Sequence, residues 1–149
     1  GFVRHRNWVI VMLLLATGMR SGELLGLQIS DIKQQLSKLG VLRRADASED
    51  TRRTPVGTKT NDRELELLPG IMRALLVHIH VERHRIRAAR RHPQVFVAQD
   101  GKPLSARSIG KLFQQLRVAC PGLPVTLTSH VMRHTWNERF SEQADEMGL

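Results

Sequence analysis

Apolar positions along this chain recur first at helical spacing, then at strand spacing, then at helical spacing again. The stretch Asn7 to Thr17 (NWVIVMLLLAT) predicts a mostly buried helix, which Gly18 stops. A second short helix is expected from Ser21, a residue type that caps helix N-termini, and it carries Glu23, Leu24, Leu25 and Leu27. A turn or short helical piece over Ser30 to Leu39 follows, and the character of the chain changes at Gly40. Between Val41 and Leu68 the signals are those of strands. β-Branched and apolar residues flank a polar loop at Asp46 to Asp50 and a turn at Thr58-Lys59-Thr60-Asn61-Asp62. The segment Arg63 to Leu68 (RELELL) alternates as a half-buried strand does, and Pro69-Gly70 ends the strands.

From Ile71 to about Arg91 the pattern predicts one long helix, with Ile71, Leu75, Leu76, Ile79 and Ile86 at helical spacing. Its other face carries Arg83, Arg87, Arg90 and Arg91, which read as a solvated basic face. Gln94 to Ala98 is a short apolar segment before the turn Gln99-Asp100-Gly101-Lys102. Leu104-Ser105 opens a further helix with Ile109, Leu112, Phe113 and Leu116 as its core face, and the stretch Cys120 to Pro124 breaks it. A final helix is expected from about Thr128-Ser129, containing His130-Val131-Met132-Arg133-His134. Helices, a small antiparallel sheet of about three strands, then helices again describe an α+β domain dominated by helix, with residues 1–149 as one domain.

Composition adds one strong constraint to this picture. A chain of 149 residues can bury a core without staples, and 41% hydrophobic with 25% charged residues is ordinary. The charge balance is not: 23 Lys and Arg against 14 acidic residues give a net charge of +9. Such a surplus favours a polyanionic partner, because each phosphate neutralised by Lys or Arg releases condensed counterions. A membrane surface is the competing polyanion, but the longest apolar run, Val9 to Ala16, is too short to span a bilayer and lacks the pattern of a signal peptide. Cys120 is the only cysteine, which excludes an internal disulfide and points to a reducing compartment; its expected place is a small buried hydrophobe. His80 and His84 have the spacing of a metal pair, yet no third ligand is evident, so these and the nearby His78 and His92 read as solvated or partly buried side chains. The chain contains no tyrosine.

Three separated pieces carry candidate chemistry. The first is Ala16-Thr17-Gly18-Met19-Arg20-Ser21-Gly22-Glu23-Leu24, an arginine at a helix start with an acid three residues on. The second is Lys59 in the turn Gly57-Thr58-Lys59-Thr60-Asn61, and the third is His130-Val131-Met132-Arg133-His134. On a helix, His130 and Arg133 share one face and can converge on one group. A guanidinium offers such a group fixed, paired donors.

This order resembles the tyrosine recombinase (phage integrase) family, whose catalytic domain shows a T-G-[LM]-R-x-x-E-[LI] box, a lysine in a β-hairpin turn and an H-x-x-R-H box. Gly101-Lys102-Pro103-Leu104-Ser105 is similar to the family's G-x-P-L-S helix entry, and the likeness runs from about Val9 to Phe140. One such motif is a weak signal; three in order with matching elements between them are a strong one. The resemblance implies site-specific DNA recombination through a 3′-phosphotyrosyl intermediate, without metal or cofactor. It implies that Arg20 and Arg133 clamp the scissile phosphate, that Lys59 protonates the leaving 5′-oxygen and that His130 assists proton transfer at the nucleophile. Glu23 and His134 would support them, and Arg63, Arg107 and Lys111 are expected to contact DNA.

The family also has a further His or Trp and then the tyrosine nucleophile beyond the H-x-x-R-H box, and an N-terminal helical domain that clamps the other face of DNA. Neither is found here, so the chain reads as a catalytic domain cut before its nucleophile, inactive alone, with Trp136 a core aromatic rather than the missing Trp. Expected partners are double-stranded DNA in the cytoplasm of a prokaryote, with a tetramer for the full-length protein, a monomer or weak dimer for this piece, and no membrane. An inactive DNA-binding relic is the alternative, and a basic protein that binds RNA or ribosomes is a weaker third reading.

Overall fold

The computed structural model describes residues 1–41 and 63–120. The turn expected to carry Lys59, the loop Asp46 to Asp50 and the final helix expected to carry His130, Arg133, His134 and Trp136 lie outside the described residues.

Helix α1 spans Phe2–Thr17, beginning earlier than Asn7, with Phe2, Val3 and His5 partly buried ahead of buried Arg6. Phe2 stacks on His78 and Arg6 is buried beneath the helix. Val9, Ile10, Leu13 and Leu14 face the core, whereas Trp8 and Leu15 are exposed, so α1 is covered on one side rather than all round. Gly18, in the left-handed conformation at φ 64°, ends the helix as expected, its N–H bonded to the Leu14 carbonyl at 3.1 Å. Helix α2 is the single turn Ser21–Leu25. Its N-cap is Arg20 rather than Ser21, because the Glu23 carboxylate, not a serine hydroxyl, satisfies the first backbone donor.

A sheet of three antiparallel strands follows, in the order β1 (Ile32–Lys33), β2 (Lys38–Val41), β3 (Arg63–Glu66). Strand structure thus begins before Gly40, inside the stretch expected to be turn or helix. The register pairs Ile32 with Leu39, Leu39 with Leu65 and Val41 with Arg63. Lys33 and Lys38 stand opposite each other, a like-charge pairing that Glu64 relieves by bonding Lys33 and approaching Lys38 at 4.0 Å. That contact with Lys33 holds the Glu64 carboxyl below its ordinary range.

Helix α3 spans Pro69–Val77, with Pro69 at its first position, where the missing N–H leaves nothing unsatisfied. The single long helix expected to run to about Arg91 is broken. The chain widens into a π-turn at His78–Glu82, tightens at Arg83–Arg85, turns extended at Ile86 and makes one more tight helical stretch at Arg87–Arg91. Arg83, expected on a solvated face, is buried and explains the break: its guanidinium donates to the carbonyls of Gln94, Ala89 and His92 at 3.1, 2.8 and 2.6 Å. His92 and Gln94 lie beyond the last helical stretch, so no helix supplies their carbonyls with donors. His78, expected to be solvated or partly buried, is fully buried.

Gln94 to Ala98 folds as the expected apolar segment, with Val95, Phe96 and Val97 in the core. Its turn closes through Ala98 N–H to the Lys102 carbonyl at 2.7 Å, with Gly101 at φ 90°. Helix α4 spans Ala106–Ala119, capped by the Ser105 hydroxyl, which accepts from the Ser108 N–H at 3.2 Å. Ile109, Leu112 and Phe113 are its buried face. Cys120, expected in the core, is exposed: it follows the end of α4, where the helix has left the core. One core joins α1, α3 and the π-turn on one side with α2 and α4 on the other.

Candidate functional site

The Thr17-Gly18-Met19-Arg20 segment is built so that each residue has one task. The Thr17 hydroxyl donates to the Leu13 carbonyl at 2.6 Å and accepts from the Met19 N–H at 3.2 Å, which ties the turn to the end of α1. Gly18 supplies the left-handed step, a conformation that other residues adopt at a steric cost. Met19 is fully buried and anchors the turn in the core. Arg20, next along an extended backbone, is thereby turned out to solvent. Among the described residues, no hydrogen bond or ion pair engages the Arg20 guanidinium.

Beneath it lies Glu23, buried although it is acidic. Its Oε1 accepts the Arg20 backbone N–H at 2.8 Å and an Arg63 Nη2–H at 3.0 Å, while Oε2 accepts from Arg63 Nη1 at 2.5 Å. The Arg63 guanidinium therefore meets the carboxylate as a two-pronged fork, the geometry in which an Arg–carboxylate pair is strongest. That bond raises the Arg63 pKa above its ordinary value. Burying a carboxylate needs such a partner, because an unpaired charge out of water is costly.

Of the residues expected at the site, the structure thus brings together Arg20, Glu23 and Arg63. Arg107 and Lys111 stand one turn apart on the exposed side of α4, which packs against α2. Lys59, His130, Arg133 and His134 lie outside the described residues. The pairing of Arg63 with Glu23 was not legible in the sequence, since a strand-edge arginine 40 positions from an acid carries no local signal. Two further arginines counted in the basic surplus serve the fold: Arg83, and Arg6, which is buried, donates to the Val97 carbonyl at 3.2 Å and lies over the Phe2 ring. Burial lowers the pKa of both.

Residues 3–147 match the phage integrase family. The chain belongs to that family. Among curated relatives, this phage integrase family member is 28% identical over 142 residues to the tyrosine recombinase XerD of Halalkalibacterium halodurans, covering 95% of this chain and 42% of the relative. It is 30% identical over 152 residues to the tyrosine recombinase XerC of Pseudomonas syringae pv. tomato, covering 98% of this chain and 42% of the relative. The chain spans about two-fifths of the length of these relatives. Its fold is similar to the crystal structure of XerA recombinase, with a TM-score of 0.67 at 27% identity over 89% of this chain and 42% of that one. It is also similar to the Tn1549 transposon integrase in complex with transposon right-end DNA, with a TM-score of 0.69 at 25% identity over 91% of this chain and 46% of that one. The mostly helical α+β arrangement with a small three-stranded antiparallel sheet is that of tyrosine recombinase catalytic domains. Among the described residues, no helix is long and apolar enough to cross a membrane.

Proposed function

We propose that this chain is the phosphate-binding part of a tyrosine recombinase catalytic domain, acting in site-specific cleavage and rejoining of double-stranded DNA. The observation that carries the reading is the outward-turned Arg20, held from below by buried Glu23, in a chain that matches the family over nearly its whole length. Charge develops on the non-bridging oxygens of the scissile phosphate during attack, and a guanidinium fixed beforehand stabilises it without reorganising. In this reading Arg20 and Arg133 hold those oxygens, Lys59 protonates the departing 5′-oxygen, and His130 assists proton transfer at the nucleophile. Glu23 and His134 support them, and Arg107 and Lys111 contact the DNA backbone. The DNA-bound Tn1549 integrase supports DNA as the partner. A tetramer on DNA and a prokaryotic cytoplasmic setting belong to the same reading. The attacking phenol comes from outside these 149 residues, since they contain no tyrosine.

The test uses a protein that carries these residues together with a tyrosine nucleophile, incubated with nicked suicide DNA. A covalent protein–DNA adduct, lost in Arg20→Ala and Arg133→Ala, is the expected result. A protein that binds DNA and never forms the adduct sinks the reading. That outcome favours the second one, a DNA-binding relic without chemistry.

A further inference from the structure

Arg63 stands where a DNA contact was expected, and its side chain, 31% exposed, is engaged by a buried acid. We propose that Arg63 is a positioning residue: through Glu23 it holds the backbone of Arg20, so that strand β3 sets the placement of the phosphate-binding guanidinium. This rests on the recombinase reading above and adds a residue to it.

One oxygen atom links the two arginines. Glu23 Oε1 accepts both the Arg20 N–H and the Arg63 Nη2–H, so whatever fixes the plane of that carboxylate also fixes the Arg20 nitrogen. A single-point partner would leave the carboxylate free to turn about its terminal bond, which has a broad torsional preference. The fork removes that freedom, because Nη1 holds Oε2 at the same time. Glu23 cannot draw the same restraint from water, because its side chain is 0% exposed, whereas that of Arg63 is 31% exposed. Arg63 is itself held in register opposite Val41, whose side chain is buried in the core. The restraint therefore passes from sheet to carboxylate to the residue that caps α2. Its consequence is geometric: Arg20 is placed by a strand far away in sequence as well as by its own turn.

The test is a double-mutant cycle in a protein that carries these residues with a tyrosine nucleophile. The single-turnover rate of adduct formation is read at saturating suicide DNA, and the DNA dissociation constant is read at several salt concentrations. Arg63→Met is expected to slow adduct formation by on the order of ten- to a hundredfold, the penalty of a small misplacement, with affinity and salt dependence unchanged. In an Arg20→Lys background, chosen to retain a measurable rate, Arg63→Met is expected to add no comparable loss. Arg63→Lys, which keeps the charge without the fork, recovers part of the rate. In the 149-residue chain itself, Arg63→Met is expected to speed amide hydrogen exchange at Arg20.

Losses that multiply in the double variant, or a shallower salt dependence for Arg63→Met, overturn the proposal and make Arg63 a direct DNA contact. If Arg63→Met does not fold, Glu23→Gln answers the same question, since it keeps Oε1 as an acceptor but weakens the fork; a loss additive with that of Arg20→Lys is again fatal. A parent protein that forms no adduct overturns the recombinase reading, and this proposal with it. A parent that reacts while Arg63→Met keeps the parental rate overturns the positioning role alone.

Discussion

The imidazole of His78 lies against the ring of Phe96, centroids 5.3 Å apart and planes 27° from parallel, at the centre of the core. Phe2 and His5 stack on the same imidazole at 5.7 and 6.2 Å. Its Nε2 faces the Val95 carbonyl at 3.3 Å and its Nδ1 is buried with no partner among the described residues, so the ring is held as a neutral aromatic plate.

Burial, reinforced by the nearby His5, Arg83 and Arg6, lowers the His78 pKa to about 4, against a partial opposing effect of the Val95 carbonyl. The unfolded chain, with an ordinary imidazole, takes up a proton first as pH falls. Stability is therefore full above about pH 6.5, falls as pH drops below it, and stops falling near pH 4, for a total of order 3 kcal/mol. Urea denaturation of the 149-residue chain across that range should show this slope, and His78→Phe should flatten it. An unchanged slope in His78→Phe would place the titration elsewhere.

The Glu23–Arg63 pair makes an asymmetric prediction. Removing Arg63 takes a two-pronged donor from a carboxylate that is 0% exposed, whereas weakening Glu23 leaves a guanidinium on a side chain 31% exposed, which water can partly serve. Arg63→Met should cost about 3 kcal/mol, near the range for breaking a buried pair, and Glu23→Gln only about 1–2 kcal/mol. Thermal melts at neutral pH check the order; equal costs would mean that the two ends are equally hydrated.

Two glycines separate strain from propensity. A Cβ at Gly101 would lie 2.7 Å from both the Ala88 Cβ and the Ala89 nitrogen, at a φ of +90°. Gly101→Ala should destabilise by at least about 2 kcal/mol. At Gly110, within α4, a Cβ would meet nothing within 4 Å, and Gly110→Ala should stabilise by about 0.5–1 kcal/mol. Denaturant midpoints of the two variants should move in opposite directions.

Basic residues that serve DNA and those that serve the fold should part company in a salt titration. Arg107→Ala and Lys111→Ala, on the exposed face of α4, should each reduce the slope of log affinity against log salt by up to about 0.9. Arg83→Lys should lower the melting temperature, because lysine cannot reproduce the fork to the Gln94, Ala89 and His92 carbonyls, while the salt slope stays unchanged. Fluorescence anisotropy at four or five salt concentrations distinguishes the two classes.

Local chemistry was enough to determine the elements whose ends carry their own signals. Gly18 stops α1, Ser105 caps α4 and the RELE alternation makes β3, each through backbone geometry or hydrogen bonds within a few residues. The order of the Arg20, Lys59 and His130–Arg133 motifs likewise pointed to the family from the sequence alone. Tertiary structure decided what depends on partners distant along the chain. No Gly or Pro lies between Gly70 and Pro93, so propensity there favours one helix, and the break exists where Arg83 can gather three carbonyls in the interior. Likewise His78 looks like any other histidine of a basic stretch until Phe2 and Phe96 fold against it. Arg63 looks like a free cation until the sheet carries it to Glu23. A charged side chain has the same composition whether it faces water or a carboxylate; only the packing that removes the water decides which.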